Sequence, residues 1–345
     1  MEDAVREDPA ADDPTVEGPA VEGQIRKGQI MENEIKRNSA GLPVRRLGRS
    51  SEEVSIIGLG GGHLARSTVP RDSAVKIVQA AVDAGVSFFD TAWEYWEGES
   101  ETRIGLGLEG RREKAFLMTK VCARDREGAE KQLHESLTRL RTDVIDLWQF
   151  HEINYDNDPD WIFAPGGALE AALKAREAGK IRFIGFTGHK SPHIFHKMLA
   201  QDFEWDSCQM PVTVMDAHYR SFQREILPEL NRRGIAVLGM KSLGGDAQMV
   251  LNAGLTPQQC RRYALSLPIT TLIAGVQSLE NLRQDVEIAR GFTPMSAEEK
   301  ASLLEKVRPE ASDGRHEWFK STQYYDSSYH RDQHSFPPVG TIHGR

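Results

Sequence analysis

The chain has 345 residues and a formal net charge of −8, and 39% of its residues are hydrophobic, which is enough for a large core. The charge is uneven, because residues 1–42 contain ten acidic and five basic residues, which leaves about −3 for the remaining chain. A nearly neutral body without a concentrated basic stripe argues against nucleic acid as the main partner.

The cysteine pattern and the lack of long apolar runs favour a location in the cytoplasm. Cys122, Cys208 and Cys260 form no CxxC pair and no even framework, which fits a reducing environment and argues against a structural zinc or iron–sulfur site. No apolar run reaches the length of a membrane helix, and no basic region leads into an apolar one at the amino terminus. We therefore predict a cytoplasmic protein with no metal and no membrane partner; the sequence carries no signal for its oligomeric state.

Residues 1–42 are predicted to form a disordered acidic tail, because they lack aromatic residues and are rich in Glu, Asp, Pro and Gly. From Leu42 the pattern predicts a β-hairpin, and strands then alternate with helices. Eight strands are predicted at 54–59, 86–90, 115–120, 144–150, 181–186, 207–210, 235–240 and 271–274. The helices are predicted at 73–84, 101–108, 127–140, 167–178, 192–199, 222–233, 257–265 and 279–290.

Eight βα units over about 250 residues match the size of an α/β fold of the (β/α)8 TIM-barrel type. A doubly wound sheet is the alternative, although it rarely sustains eight even units and no GxGxxG opens the first helix. We expect the hairpin and barrel to occupy residues 43–305, followed by a C-terminal extension over 306–345. The extension is irregular but aromatic, so we expect it to pack on the barrel, over its mouth; its aromatic residues include Trp318, Tyr324, Tyr325, Tyr329 and Phe336.

Four polar residues lie at or just beyond three predicted strand ends. Asp90, Lys120 and His151 each close a strand, and Tyr95 follows in the loop after Asp90. The C-terminal ends of barrel strands open onto one face, so these side chains can converge. An ammonium lowers the pKa of a nearby phenol from about 10, an aspartate holds that ammonium charged, and a neutral imidazole can orient a carbonyl. Such a group can protonate a carbonyl oxygen, and a hydride from a nicotinamide would supply the missing nucleophile.

With this chemistry the sequence resembles the aldo-keto reductases, in particular the bacterial-type NADP-dependent oxidoreductase barrels. The resemblance covers about residues 43–300. Its motifs are Asp90-Thr-Ala-Trp-Glu-Tyr95, Thr119-Lys120, Gln149-Phe-His151 and Gly239-Met-Lys-Ser-Leu-Gly-Gly245. It implies reduction of an aldehyde or ketone, with Tyr95 as general acid/base, Lys120 and Asp90 as its tuning pair, and His151 as the residue that orients the carbonyl.

The resemblance also implies a nicotinamide dinucleotide across the barrel mouth, bound without a Rossmann fold and with NADP(H) favoured over NAD(H). The residues that match the family's contacts to the cofactor carboxamide are Thr187, Gly188 and Gln209. The pyrophosphate segment corresponds to Lys241, Ser242, Leu243 and Gly244. The adenosine segment corresponds to Gly275, Gln277, Ser278, Gln284 and Asp285.

Two departures from the family pattern affect the site. The turn after Tyr95 is lengthened by Trp96-Glu97-Gly98-Glu99. The Lys and Arg that often bind a 2′-phosphate appear as Gly275 and Asn281, a usual Asn appears as Asp285, and only Arg283 and Arg290 are cations nearby in sequence. An arginine is the natural phosphate ligand, so the choice between NADPH and NADH stays open.

Several residues also have plainer interpretations. Tyr95 could be a packing aromatic, and the glycine run at 58–62 fits a tight turn as well as a close cofactor approach. His189 could line the site or cap the next helix. The remaining histidines of the C-terminal part, which are irregularly spaced and do not predict a metal site, are His316, His330, His334 and His343.

Two other functions remain open. An NADP(H)-binding, redox-sensing regulatory subunit would share the cofactor but not the turnover. A TIM-barrel hydrolase or aldolase could use Lys120 as a Schiff base. Substrate specificity in barrels comes from loops, and the Trp, Tyr and His content of the loops here suits a small polar or sugar-like carbonyl.

Overall fold

The computed structural model describes residues 35–245, 247–320 and 328–334. Within these residues there are ten strands: β1 (Val44–Arg46), β2 (Glu53–Ser55), β3 (Ile57–Gly60), β4 (Phe88–Asp90), β5 (Phe116–Val121), β6 (Ile145–Phe150), β7 (Ile181–Thr187), β8 (Ser207–Pro211), β9 (Ala236–Met240) and β10 (Thr271–Gly275).

Strands β3 to β10 form a closed barrel in which neighbours are parallel and follow chain order, and β10 pairs with β3 to close the ring. The register sets Gly60 opposite Asp90, and Lys120 opposite Gln149. The carboxyl ends of β3 to β6 therefore lie at similar levels on one face. With helices between the strands, this architecture confirms the predicted (β/α)8 barrel.

The first predicted strand, 54–59, is wrong as a single element. β1 and β2 form an antiparallel hairpin, and the chain then changes partner at Ile56. The Ile56 N–H donates to Pro43 of the hairpin, whereas its carbonyl accepts from Leu272 at the start of β10. One residue thus ends the hairpin and begins the barrel, which an unbroken apolar run cannot reveal.

The helices of the described chain occupy α1 (Arg71–Asp83), α2 (Glu99–Leu108), α3 (Arg126–Leu140), α4 (Asp158–Phe163), α5 (Ala168–Glu177), α6 (Pro192–Leu199), α7 (Phe222–Glu225), α8 (Leu227–Arg232), α9 (Gln248–Asn252), α10 (Pro257–Leu265), α11 (Leu279–Arg290), α12 (Ala297–Ala311) and α13 (Ser328–Gln333). Most match the predicted spans within two residues. The predicted helix 222–233 is instead two helices that meet at Ile226, where Pro228 enters the first turn of α8 and can donate no backbone hydrogen bond.

Two layers of apolar side chains hold the barrel. Inside the barrel, aromatic and aliphatic side chains from several strands pack together with Leu47 and Val54 of the hairpin. Phe88 stacks on Phe116 at 5.3 Å, and Phe116 on Phe183 at 5.9 Å. Outside it, each helix buries one face against the strands, as α3 does with Leu133 and Leu140. The interior of the described barrel is therefore a packed core.

The structure shows which residues pack near the two proposed domain boundaries. Residues 1–34 lie outside the described chain, but 35–42, which we expected in the disordered tail, pack on the body: Leu42 is fully buried and Arg37 bridges to Pro43. At the other end α12 runs through residue 305, and Ser296 and Glu299 begin it with a reciprocal capping box. Among the described residues, no helix combines the length and apolarity needed to cross a bilayer.

Candidate active site

The four predicted catalytic residues meet at the carboxyl end of the barrel. Asp90 is the last residue of β4, Lys120 lies in β5, His151 follows β6, and Tyr95 lies in the turn before α2. The Lys120 ammonium forms an ion pair with Asp90 and donates to the Thr91 carbonyl at 2.6 Å. Both side chains are almost fully buried. The cation is thus held in place by its neighbours before any ligand binds.

Tyr95 lies against both Lys120 and His151. Its hydroxyl oxygen is 3.5 Å from the Lys120 Nζ, which also lies 4.7 Å from the centre of the phenol ring. The imidazole of His151 meets the same ring edge-on, with 5.6 Å between centroids. The structure therefore brings together the phenol, ammonium, carboxylate and imidazole that the sequence pattern placed at one mouth.

His151 has two acidic or sulfur neighbours that the sequence did not suggest. Its Nδ1 lies 3.2 Å from a carboxyl oxygen of Glu94 and 3.9 Å from the sulfur of Cys122. The Cys122 thiol donates to the other Glu94 oxygen at 3.6 Å. Burial lowers the pKa of His151 well below its usual value, and the nearby Lys120 lowers it further, so the ring is neutral.

The same three groups are close enough together to surround a cation, since their ligand atoms lie within 4.8 Å of one another. Burial, however, raises the pKa of the Cys122 thiol well above its usual value. The thiol therefore carries its proton at neutral pH and acts as a hydrogen-bond donor. Of the histidines considered for a metal, His316 accepts or donates at 2.9 Å to Glu310, and His343 lies outside the described residues.

A cleft of about 490 Å³ opens beside Asp90 and Tyr95. Eight of the twelve predicted cofactor residues line it: Gln209, Lys241, Ser242, Leu243, Gly275, Gln277, Gln284 and Asp285. Gln209 donates to Asp90 at 3.0 Å, while its buried amide oxygen accepts no hydrogen bond from the described residues. An unpaired acceptor beside the tetrad suits an amide N–H of a bound ligand.

The other four predicted cofactor residues do not line the cleft. Thr187 is buried at the end of β7, and a Cβ on Gly188 would lie 2.7 Å from the Ile153 carbonyl, so glycine there permits close backbone packing. Ser278 caps α11 by accepting from the Asn281 N–H at 3.1 Å. Gly244 has a φ of 82°, which the turn after β9 requires.

The cations of the cleft are not those expected from neighbouring sequence. Arg283 is occupied by Glu280 and Glu287, and Arg290 donates to backbone carbonyls of residues 40 and 84. Three others line the cleft: Arg66, Lys241 and Arg261. Their charges, together with burial as the larger cause, lower the pKa of His63 to about 4. This end of the cleft is therefore cationic.

Arg261 and Arg66 differ in what they bind within the protein. Arg261 is buried, donates to Asp285 at 2.9 and 3.3 Å, and donates to the Ser242 hydroxyl at 2.6 Å. This pairing explains an aspartate at residue 285. The guanidinium of Arg66, in contrast, donates to no other residue within the described ranges, and it is only half-buried. Arg66 is thus the cation that a ligand can engage without breaking an internal ion pair.

The loop after β3 forms one wall of the cleft, and the turn after Tyr95 contacts that loop. Gly60 and Gly62 line the cleft, whereas a Cβ on Gly61 would lie 2.5 Å from the Ser100 hydroxyl, so that glycine serves packing against α2. The lengthened turn is tied to this loop, because the Trp96 indole donates to the Gly62 carbonyl at 2.8 Å. Trp96 and Glu97 both adopt positive φ, 55° and 56°.

Part of the C-terminal extension covers the mouth, as expected. Trp318 lines the cleft, and Lys241 lies 5.2 Å from the ring of Phe319. Farther on, the buried His334 lies 3.5 Å from Glu152, the residue that follows His151. His189 is buried with its ring 6.0 Å from that of Phe319, and the cap position of α6 is Ser191. Tyr324, Tyr325 and Phe336 lie outside the described residues.

Comparison with known proteins agrees with this geometry. The model of the Aldo/keto reductase family matches residues 56–259. The chain is 28% identical over 221 residues to L-galactose dehydrogenase of Arabidopsis thaliana, covering 59% of this chain and 66% of that protein. It is 32% identical over 166 residues to 6-dehydroglucose reductase of Novosphingobium aromaticivorans, covering 44% and 53% of the two chains. These matches span about half to two thirds of the relatives' lengths.

A longer match and a solved structure extend the comparison. Protein tas of Escherichia coli is 27% identical over 287 residues, covering 71% of this chain and 80% of that one. The holo form of aldo-keto reductase AKR11C1 from Bacillus halodurans superposes with a TM-score of 0.66 at 23% identity, covering 80% and 99% of the chains, and so shares the fold. Since the family model matches more than half of the sequence, the chain belongs to the aldo/keto reductase family of oxidoreductases.

Proposed function

We propose that this protein reduces an aldehyde or ketone to an alcohol with hydride from a nicotinamide cofactor, and that Tyr95 donates the proton. The observation that carries the proposal is the Lys120 ammonium, which lies between the Asp90 carboxylate and the Tyr95 hydroxyl. Family membership supports the reaction class. The cleft that opens beside the same two residues supports a bound cofactor.

Each side chain has a defined part in this reaction. A reduced nicotinamide, when bound, would supply the hydride for the carbonyl carbon. His151 donates a hydrogen bond that orients the carbonyl oxygen, because its Nε2 makes no hydrogen bond within the described chain. Tyr95 transfers its proton as negative charge develops on that oxygen. Lys120 stabilises the resulting phenolate, and Asp90 and the Thr91 carbonyl keep the ammonium in place.

For the cofactor we propose NADP(H) in preference to NAD(H). The unpaired amide oxygen of Gln209 suits the carboxamide, and the cationic end of the cleft suits phosphate. Arg66 would take the part of the missing Lys and Arg by approaching a 2′-phosphate from the loop after β3. Titration of the parent protein with NADPH and with NADH, followed by nicotinamide fluorescence, tests this preference; equal affinities would contradict it.

The Tyr95→Phe variant tests the proposed reaction. It removes the transferable proton but keeps the ring, so we expect turnover to fall by roughly 10²–10⁴-fold, the range for general acid catalysis. The dissociation constant for the cofactor should stay near that of the parent. Turnover is measured by nicotinamide absorbance across a panel of aldehydes and ketones.

Tyr263→Phe is the matched control. Tyr263 lies on α10, away from the tetrad, and its hydroxyl donates to the Gln223 side chain at 2.8 Å. It should retain parental turnover. If Tyr95→Phe reduces carbonyls at the parental rate, Tyr95 is not the proton donor. If the parent itself binds NADPH but reduces nothing in the panel, the alternative of a redox-sensing regulatory subunit is favoured. Trapping of substrate on Lys120 by borohydride would instead favour Schiff-base chemistry.

The remaining parts of the proposal concern substrate, partners and location. We propose a small polar or sugar-like carbonyl substrate, which the names of L-galactose dehydrogenase and 6-dehydroglucose reductase support by analogy. We further propose a cytoplasmic protein without nucleic-acid or membrane partners. The acidic residues 1–42, the barrel over 43–305 and the extension over 306–345 remain our proposed division of the chain.

A further inference from the structure

Glu94 occupies a position that gives it control over His151. It precedes Tyr95 in the turn after β4, and its carboxyl group lies against Nδ1 of the His151 imidazole. One oxygen lies 3.2 Å from Nδ1, and the other accepts from Cys122. The side chain of Glu94 is 11% exposed, and that of His151 is 8% exposed. Solvent therefore competes little for this contact.

We propose that Glu94 is a positioning residue that carries a proton and donates it in a hydrogen bond to Nδ1 of His151, which keeps the imidazole hydrogen on Nε2. This inference rests on the proposed function, because it concerns the carbonyl-orienting role of His151. A neutral imidazole has one N–H and one acceptor nitrogen, so the partner of one nitrogen decides the state of the other. Only the form with hydrogen on Nε2 can donate to a carbonyl oxygen.

The charges around Glu94 favour the protonated carboxyl. Burial and the neighbouring Glu152 raise the pKa of Glu94 well above its usual value, against the opposing effects of Lys120 and Arg124. Both cations are already paired, Lys120 with Asp90 and Arg124 with Asp158. The net charge available to stabilise a second carboxylate here is therefore small, and a neutral Glu94 avoids its desolvation cost.

The hydrogen bonds around Glu94 have one consistent direction. The Cys122 thiol keeps its proton and donates to one carboxyl oxygen at 3.6 Å. The other oxygen, protonated, then donates to Nδ1 at 3.2 Å. Nε2 is left as the donor for the substrate. An ionised Glu94 would reverse the middle bond, place the imidazole hydrogen on Nδ1, and leave Nε2 as an acceptor that repels a carbonyl oxygen.

Nitrogen NMR of the full-length protein labelled at histidine reads the tautomer directly and needs no turnover. At neutral pH we expect Nδ1 of His151 to resonate as an unprotonated nitrogen and Nε2 as a protonated one, with the signals assigned by their loss in His151→Gln. A protonated Nδ1 in the parent protein would overturn the proposal, even if the enzyme reduces carbonyls. Conversely, the expected tautomer in an inactive protein would support the inference while the proposed function fails.

Two variants of Glu94 then separate the hydrogen bond from packing. Glu94→Gln can donate through its amide and accept through its oxygen, so it should keep the tautomer and retain kcat within a few fold. Glu94→Met fills a similar volume without a hydrogen bond, so it should lose the fixed tautomer and lower kcat by on the order of 10²-fold, with the cofactor dissociation constant unchanged. Retention of parental kcat by Glu94→Met would contradict a positioning role.

Glu97→Gln is the matched control, because Glu97 lies three residues away in the same turn and is exposed. It should change neither the tautomer nor kcat. Metal analysis of the purified protein completes the test. Stoichiometric zinc bound through Glu94, Cys122 and His151 would overturn the proposal, because a metal on Nδ1 would replace the carboxyl proton as the group that sets the tautomer.

Discussion

Arg66 contributes a guanidinium to the cleft from the loop after β3, close to His63, whose ring lies where a side chain on Gly275 would have to go. Because a charged hydrogen bond to phosphate is stronger than a neutral one, loss of this group should weaken cofactor binding. We expect Arg66→Gln to raise the dissociation constant for NADPH on the order of tenfold, about 1.4 kcal/mol, and that for NADH much less.

Fluorescence titration of both cofactors measures this difference. Arg283→Gln is the control. Arg283 lies in the segment that the resemblance assigns to the adenosine, but Glu280 and Glu287 hold it on the surface of α11, so the affinities for both cofactors should stay parental. Equal weakening of NADPH and NADH by Arg66→Gln would move Arg66 from the 2′-phosphate to the pyrophosphate and remove its part in preference.

At the scale of single residues, the sequence predicted the site positions whose side-chain direction is set by a strand. Asp90, Lys120 and His151 meet because parallel strands end together, and Tyr95 follows at a fixed distance along the chain. Glu94 and Arg66 were missed because loop conformation decides where their side chains point. Arg261 was missed because α10 and α11, 24 residues apart at the contact with Asp285, have to pack before the ion pair exists.

A buried cluster of charged side chains connects the C-terminal extension to the loop after β8. Lys320 donates to Asp216 at 2.7 Å, lies 3.0 Å from Glu317, and donates to the Tyr219 carbonyl at 2.6 Å. All three side chains are almost completely buried. Since one lysine faces two carboxyl groups, Glu317 lacks full compensation, and burial raises its pKa to about 7.

This shift predicts how stability depends on pH. The folded pKa of Glu317 is raised above the value of 4.5 for the unfolded chain, so its stabilising proton is fully bound below pH 4.5 and is lost as pH rises through about 7. Glu317→Gln cannot lose that proton. Between these pH values the parent should therefore lose free energy of unfolding relative to Glu317→Gln, at no more than about 1.4 kcal/mol per pH unit.

Urea unfolding of both proteins from pH 4.5 to 8 measures the difference, with the exposed Glu305→Gln as control. A constant difference across that range would show that Glu317 does not change protonation.

Helices with a long periodic pattern of apolar residues, such as α3, were predicted well from the sequence. Helix α12 was not predicted because its amphipathic pattern is weak, although Ser296 and Glu299 carry a capping-box signal for its start.

At the scale of the molecule, the two ends of the barrel have different tasks. The hairpin β1–β2 covers the amino ends of the strands, where Arg45 donates to the Ile269 and Leu265 carbonyls at 2.7 Å each and lies 5.6 Å from the Phe292 ring. A second cleft of about 560 Å³ lies at this end, far from the tetrad along the strands. Residues there are expected to support stability rather than chemistry.

Arg45→Met tests this division. The variant leaves two partly buried carbonyls without their donor, so we expect a loss of about 2–4 kcal/mol in the free energy of unfolding, with kcat unchanged in the folded protein. Arg46→Met, which removes hydrogen bonds only within the hairpin, should cost much less. Thermal unfolding and kinetics on the same samples provide both readouts. A fall in kcat without a loss of stability in Arg45→Met would contradict the division.

The pairing of β10 with β3 has a consequence for the order in which the protein is made. The strands that carry Asp90, Lys120 and His151 leave the ribosome early, whereas β10, which closes the ring against β3, is completed only at Gly275. The cleft needs the loop after β3 and the start of α11 together. A nascent chain that already contains Asp90, Tyr95, Lys120 and His151 therefore still lacks the cleft that we propose as the cofactor site, and we expect that cleft to form only after the last barrel unit is synthesised.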